Sequence, residues 1–461
     1  MTVDCRRRIK DGHNRLKNRK TESEQHERRD EARSLKMNPK IWYSLYDRLL
    51  HGNALKDAFR KVKSANGSPG IDGQSCKDFA AELDRHILEL LNELMQKTYR
   101  PEPVKRVEIE KPDGGIRLIG IPTVRDRVVQ QALKNILEPI FNPGFHPSSY
   151  GYRPGCGAHD AIAKATAFMR KYRLTWVIDM DLSKCFDTLD HDLIIQSVRK
   201  KVTDGSILKL IRMFLEGGVM KSGEFEPTLV GSPQGGVISP LLANIYINEF
   251  DQFMKARGHR IVRYADDILI FKSSRSGAEN ARFVAETYLE KDLKLTVNRR
   301  KTHMTTLRQG VRYLGVEIHS TYTCIQGKKL VKFKEKIKEA TRRNTPVNLA
   351  KVIKDLNPVI RGFVNYFKIT NSKTVFVKLM AWLRRRLRAI QMKHWKKPGK
   401  LHRRLRQLGY KGDFSCIKMA SWRNAACQYS HWAMSNDWFE EIGLFQMDKV
   451  IIGKLPLINR G

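Results

Sequence analysis

The residues in this chain best placed to do chemistry together are acids at the ends of apolar runs. Trp176-Val-Ile-Asp-Met-Asp-Leu-Ser-Lys-Cys-Phe-Asp187 carries Asp179 and Asp181, and Arg260-Ile-Val-Arg-Tyr-Ala-Asp-Asp-Ile-Leu-Ile-Phe271 carries Asp266 and Asp267. Phosphoryl transfer by two divalent ions needs carboxylates from more than one strand, gathered so that the ions sit about 3.5–4 Å apart. Alternation of period two puts Asp179 and Asp181 on one face of a strand, so spacing leaves both as candidates. Tyr264-Ala-Asp-Asp267 alone is a weak signal, because a polar hairpin turn also favours Asp. The apolar runs on both sides strengthen it, since they would anchor the bend against a core. Lys111 and Arg117 add cations suited to phosphate, and Arg brings planar donors. Without the acids they read as two solvated charges on a hairpin.

Positioning these groups requires strands at 104–121, 175–182 and 260–271. Short β-like runs flank Lys111-Pro-Asp-Gly-Gly115 between Val104 and Ile121, which predicts a hairpin with Lys111 and Arg117 beside its tip. A helix is expected around Val128 to Ile140 and a strand from Thr175 to Leu182. Ser239 and Pro240 read as an N-cap and first helical residue before the apolar Leu241, Leu242, Ile245 and Phe250. Leu379, Leu383, Leu387 and Ile390 recur at helical spacing, with Arg384, Arg385, Arg386 and Arg388 mainly on other faces.

Charge narrows the partner. Across 461 residues, 86 Lys+Arg against 48 Asp+Glu leave +38, an excess that repels itself unless a polyanion neutralises it. From Leu356 to Gly412 there are 16 Lys+Arg and no Asp or Glu. Nucleic acid is the expected partner and a membrane is not, because no apolar run approaches the roughly 18 residues of a spanning helix. Residues 1–41 have no Phe, Trp or Tyr and many basic side chains, and read as a mobile basic extension. Seven cysteines are scattered singly, which suits a reducing cytosol and argues against a Cys-rich zinc module.

Asp181-Leu-Ser-Lys-Cys-Phe-Asp187, Gly231-Ser-Pro-Gln-Gly-Gly236 and Tyr264-Ala-Asp-Asp267, in that order and at these intervals, resemble the palm motifs of reverse transcriptases. The resemblance implies that Asp181 and Asp266 are the principal metal ligands, with Asp267 contributing less directly. It selects Asp181 over Asp179, because the family's pattern places an aromatic residue five positions after the catalytic acid, where Phe186 stands. It implies that Phe186 selects dNTPs by excluding a 2′-hydroxyl, that Lys111 and Arg117 bind the triphosphate, and that Gln234 lies under the nascent base pair with Gly235 and Gly236. Taken singly, Phe186 reads equally as a core ring and the glycines as turn formers.

Asn66-Gly-Ser-Pro-Gly-Ile-Asp-Gly73, Ser149-Tyr-Gly-Tyr-Arg-Pro-Gly155, Lys301-Thr302 and Tyr313-Leu-Gly315 are similar to successive blocks of group II intron reverse transcriptases, and Leu356 to Phe367 resembles their thumb, or maturase, region. The implied fold is an α+β right-hand polymerase with fingers, a palm built on an antiparallel sheet and a helical thumb, plus a small C-terminal helical segment. The matching partition is a basic extension at 1–41, fingers at 42–174, palm at 175–325, thumb at 326–410 and a DNA-binding segment at 411–461. The implied cofactor is Mg²⁺, two ions. The implied partners are group II intron RNA or another RNA template, a DNA primer or target, and dNTPs. Arg361, Arg384, Arg385, Arg386, Arg388, Lys396 and Lys397 are expected phosphate contacts, conferring affinity and salt dependence rather than sequence choice. Trp382, Trp395 and Tyr366 could stack on bases, although aromatic residues at helical spacing are more often core.

The implied function is RNA-directed DNA synthesis with assistance to intron splicing and mobility, in the bacterial cytoplasm near the nucleoid. A free-standing reverse transcriptase of repair or phage defence, and a splicing-only RNA-binding maturase, are the alternatives. Longer family members end in a Cys/His-rich nuclease, and with Cys416 and Cys427 standing alone no endonuclease is expected.

Overall fold

The runs on either side of Lys111-Pro-Asp-Gly-Gly115 pair as their sequence predicts. β1 (Val104–Glu110) and β2 (Ile116–Ile121) form an antiparallel hairpin whose last pair is Glu110 with Ile116. The computed structural model describes residues 40–51, 53–110, 114–221, 224–226, 231 and 235–456, so residues 1–39 of the expected 1–41 extension, Lys111 and Gln234 lie outside the described residues. The remaining described strands are β3 (Trp176–Asp181), β4 (Val219–Lys221), β5 (Glu224–Glu226), β6 (Arg260–Tyr264), β7 (Asp267–Lys272), β8 (His303–Thr306), β9 (Val311–Tyr313), β10 (Val316–Ile318) and β11 (Thr323–Ile325). The expected helices form at Val124–Phe141, Ser239–Ala256 and Lys373–Trp395. Among the described residues, no helix is long and apolar enough to cross a membrane.

The chain divides into two compact units drawn from interleaved stretches. The first takes 40–144 and 186–246 and contains the sheet β2-β1-β4-β5, in which β1 runs antiparallel to β2 and parallel to β4. Thr123 caps the helix Val124–Phe141 by accepting from the Asp126 N–H. The Asp126 carboxylate is buried and accepts from Tyr99 Oη at 2.5 Å and from the Glu102 N–H at 3.0 Å, which fastens this helix to the segment before β1. Asp204 does the same for the N-terminal turn: it caps the helix Gly205–Glu216 and accepts from the Leu45 and Tyr46 N–H groups at 2.7 and 2.9 Å.

Two glycines of the Gly231–Gly236 segment are held by backbone contact. Gly231 has φ +93°, and a Cβ there would meet the Asp187 carbonyl oxygen at 2.6 Å. Its N–H donates to the Leu189 carbonyl at 2.9 Å, and its own carbonyl lies 2.6 Å from His191 Nε2. Gly235, at φ +125°, would bring a Cβ to 2.3 Å from the Gly120 carbonyl oxygen on β2. The bare backbone at Gly235 thus accommodates the protein's own hairpin, a second use for a glycine expected beside a base pair.

The second unit takes 145–185 and 247–456. Its main sheet has the order β6-β7-β3-β8, antiparallel throughout, and the helices Ala158–Arg170 and Arg275–Lys291 pack against it. Val177, Ile178, Val262, Leu269, Ile270 and Phe271 are all buried. A second sheet, β11-β10-β9, leads into the helix Gly327–Ala340. Beyond it, Lys373–Trp395 is the long central helix of the C-terminal part, burying Leu379, Leu383, Leu387 and Ile390 as their spacing predicts.

The arginines of that helix correct one expectation. Arg384 and Arg388 are buried, at 6% and 2% exposure. Arg384 donates to Asp448 Oδ2 at 2.9 Å and to Gln446, while Arg388 Nε donates to the Met434 carbonyl at 2.9 Å. Arg386 Nε donates to Thr341 Oγ1 at 2.6 Å and its guanidinium covers Trp382, and Arg385 lies over Trp422. Arg384 and Arg388 tie the C-terminal segment to the helix and are not surface phosphate contacts, while Arg386 ties the helix to Thr341 at the end of Gly327–Ala340. Tyr366 follows the same rule: its hydroxyl donates to the Leu314 carbonyl at 2.7 Å, and Trp382 and Trp395 pack against the core. Arg361, Lys396 and Lys397 remain exposed.

One charged pair lies in the interior of the second unit. Arg263, next to the last residue of β6, and Asp251 both have fully buried side chains. Arg263 Nε donates to both Asp251 oxygens at 3.0 and 2.9 Å, and Nη2 adds a bond of 2.7 Å. Removing one partner leaves an uncompensated charge, so Asp251→Ala is expected to destabilise the protein by about 3–5 kcal/mol, read as a lowered urea midpoint. An unchanged midpoint would show that the pair does not hold the unit together.

Candidate active site

The end of the second unit's main sheet gathers the acids. β3 and β7 pair antiparallel with Asp181 directly opposite Asp267, and β6 and β7 pair with Tyr264 opposite Asp267. Ala265 and Asp266 form the bend between β6 and β7. Asp179 lies two residues back along β3, opposite Leu269 on one side and His303 on the other. In this register Asp181 is the β3 acid next to the Tyr264–Asp267 bend, while Asp179 lies two residues back with His303 Nε2 at 3.9 Å.

The electrostatics describe a crowded anionic patch. Asp267 is exposed at the lip of the sheet, yet the surrounding protein removes enough water to push its carboxyl up to about 7, with the charges of Asp266, Asp179 and Asp181 adding to the rise. Burial likewise pushes Asp179 up to about 6, His303 opposing and Asp181 assisting. Acids gathered this closely leave negative charge undercompensated by the protein, and oxygen-rich clusters of this kind suit hard divalent cations.

Asp181 has its own supports. Asn298 Nδ2 donates to Asp181 Oδ2 at 3.0 Å, and the Asn298 N–H donates to the Asp181 carbonyl at 2.8 Å. The Asp181 N–H donates to Thr302 Oγ1 at 3.3 Å, and Lys301 Nζ lies 4.0 Å from Asp181 Oδ2. The Lys301-Thr302 pair noted in the sequence is thus a support for the β3 acid.

The bend at Asp266 is shaped by residues that sequence reasoning missed. Ala265 adopts φ +58°, a left-handed conformation that costs a residue with a Cβ roughly 1–2 kcal/mol. Arg263 Nη1 donates to the Ala265 carbonyl at 3.0 Å, so the buried ion pair also fixes the bend. The segment around Gly151 runs alongside β6: the Arg263 N–H donates to the Ser148 carbonyl and the Tyr150 N–H to the Arg263 carbonyl, both at 2.9 Å. A Cβ on Gly151 would stand 2.3 Å from the Ala265 nitrogen. His146 supports this segment as a neutral ring, since burial pushes it down to about 4 and its Nδ1 accepts from the Ser148 N–H at 3.0 Å. An arginine inside an otherwise apolar strand was the available clue. Its partner, in a helix 12 residues earlier, left none.

The other sequence-predicted residues are placed separately. Phe186 is half-buried on the short 3₁₀ turn Cys185–Asp187 that follows β3, and Arg117 is exposed on β2 opposite Ile109.

Residues 109–318 match the family reverse transcriptase (RNA-dependent DNA polymerase), and residues 330–409 match the group II intron maturase-specific domain. Protein YkfC of Escherichia coli is 36% identical over 300 residues, covering 57% of this chain and 79% of that protein. The chain belongs to the group II intron reverse transcriptases. Group II intron-encoded protein LtrA of Lactococcus lactis is 27% identical over 402 residues, covering 72% of this chain and 64% of LtrA. A solved telomerase from Candida tropicalis superposes with a TM-score of 0.39 at 15% identity, over 51% of this chain and 59% of that one. By the reverse transcriptase and maturase-domain matches, the fold is the right-hand polymerase, and the function RNA-directed DNA polymerisation joined to a domain for intron splicing and mobility. As in the family generally, the chemistry uses divalent metal and an RNA template.

The contact between Gly151 and the bend gives a direct test. Gly151→Ala must displace the backbone at Ala265, and a shift approaching 1 Å costs on the order of 10²-fold in rate. Primer extension on an RNA template is expected to fall by that order while far-ultraviolet circular dichroism stays unchanged. Full activity in the variant would mean that the bend tolerates the displacement.

Proposed function

We propose that nucleotide addition takes place where β3 and β7 end, with Asp181, Asp266 and Asp267 holding two Mg²⁺ ions. The observation that carries this reading is the pairing of Asp181 with Asp267 beside the Asp266 bend, with the charges of the neighbouring acids adding to the rise at Asp267. Such ions, when bound, would supply Lewis-acid activation of the primer hydroxyl and neutralise charge on the leaving pyrophosphate. The protein's part is to hold the carboxylates in register: Asn298 orients Asp181, and Arg263 with Gly151 sets the bend. Lys111, Arg117, Phe186 and Gln234 form the nucleotide site in this proposal, by their place in the family's motifs. Arg361, Lys396 and Lys397 are the proposed phosphate contacts to group II intron RNA, supported by their exposure and by the basic composition of 356–412. A DNA primer or target, dNTPs and work beside the bacterial nucleoid complete the proposal. Fingers at 42–174, palm at 175–325, thumb at 326–410 and a DNA-contacting segment at 411–461 remain the proposed partition.

Primer extension with dNTPs and Mg²⁺ tests the site. Asp266→Ala is expected to lower extension by at least about 10³-fold, on the scale of losing a principal electrostatic group, while RNA retention in moderate salt persists. Equal extension by variant and wild type would remove Asp266 from the site. For the nucleotide gate, Phe186→Ala is expected to raise ribonucleotide incorporation relative to dNTPs by about tenfold or more, on the scale of a single steric contact. An unchanged ratio would discard the gate.

A further inference from the structure

The outer face of the β11-β10-β9 sheet carries a group of side chains that polymerisation does not use. Val316 and Ile318 of β10 and Thr323 and Ile325 of β11 point inward and are buried, so alternation turns Glu317 and Cys324 outward. The two are direct partners in the β10–β11 register. His319 follows Glu317 by two positions and shares its face. A ligand atom from each of Glu317, His319 and Cys324 lies within 4.8 Å of the other two, the one such triad of metal-ligating groups among the described residues.

We propose that Glu317, His319 and Cys324 form a zinc site that ties β10 to β11 at the start of the helix Gly327–Ala340. Tetrahedral zinc with one oxygen, one nitrogen and one sulfur ligand sets its ligand atoms about 3.3–3.8 Å apart, within reach of these three by small side-chain rotations. Thiolate and imidazole together favour zinc over magnesium, which prefers oxygen. The charge balances, since one carboxylate and one thiolate match a divalent ion.

The surroundings hold the ligands in place. Arg170 donates through Nε and Nη2 to the His319 carbonyl at 3.0 and 2.8 Å, and the His319 ring stacks on Tyr322 with centroids 4.6 Å apart. Glu317 Oε1 faces His319 Nε2 at 3.3 Å, while Oε2 faces Arg312 Nε at 3.8 Å, so one oxygen can ligate while the other stays neutralised. Gly310, at φ +88°, lies over the group: a Cβ there would stand 2.7 Å from His319 Cε1 and 2.9 Å from Glu317 Oε1. Three protein ligands leave a fourth position for water.

The site has a mechanical setting. The Gln326 N–H donates to the Gly315 carbonyl at 3.1 Å, and Thr323 is held by Asn371 Oδ1 at 2.9 Å, so the same hairpin fixes the helices on its C-terminal side. A cation bridging β10 and β11 would stiffen that junction.

Cobalt provides the test, using the full chain stripped of metal by a chelator. One equivalent of Co²⁺ is expected to give the near-ultraviolet thiolate-to-cobalt absorption, lost in Cys324→Ser and retained in Cys416→Ser, which removes an exposed cysteine elsewhere. In competition with a chromogenic chelator, His319→Ala and Glu317→Gln are expected to weaken Zn²⁺ binding by about tenfold or more. Circular dichroism of the metal-free variants establishes that each is folded. Absence of the band in wild type, its survival in Cys324→Ser, or Zn²⁺ affinity indifferent to both other substitutions would overturn the proposal.

Discussion

Carboxylates repel one another, and the acids at the end of the second unit's main sheet remain together because backbone pairing leaves them no room to separate. Asp181 and Asp267 are opposed by strand register, and the register is fixed by the buried apolar residues behind them. Both faces of β3 and β7 are covered, so a slip of one residue would press each buried side chain into a space shaped for its neighbour, at roughly 1–3 kcal/mol for each misfit. The hydrophobic core thus stabilises an electrostatic arrangement that water would dissolve. The upward push on Asp267 and Asp179 measures the same conflict from the side of the acids.

Much of this was legible in the sequence because the two periodicities are physical. Apolar runs flanking the acids gave β3, β6 and β7, the Pro-Asp-Gly turn gave the β1–β2 hairpin, and leucine spacing gave the buried face of Lys373–Trp395. What stayed hidden depended on contacts distant along the chain. Spacing could not separate Asp179 from Asp181, which differ in the residue that β7 sets opposite each. The part played by Gly151 was invisible because a glycine near a turn has many explanations, and only coordinates show the Ala265 backbone where a side chain would go.

The basic C-terminal third shows how a compositional signal divides in three dimensions. A run of arginines without acids implied a phosphate-binding face, and residue count could not reveal that Asp448 and Gln446, some sixty positions away, lie against Arg384. Long cationic side chains have apolar stems and many donors, which lets them fasten a segment as readily as they grip a polyanion. Arg361, Lys396 and Lys397 keep their charges at the surface, so buried and exposed cations stand side by side within one helical region.

The interleaving of the two units has a consequence for how the chain is made. Stretch 145–185, which includes β3, leaves the ribosome before its sheet partners β7 and β8 exist. At synthesis rates of about 5–20 residues per second, that strand waits several seconds with its edges unpaired. The N-terminal unit is likewise incomplete until residue 246 has been added. A nascent chain of this topology cannot fold one finished piece after another, and its early apolar strand is the natural client for a chaperone during translation.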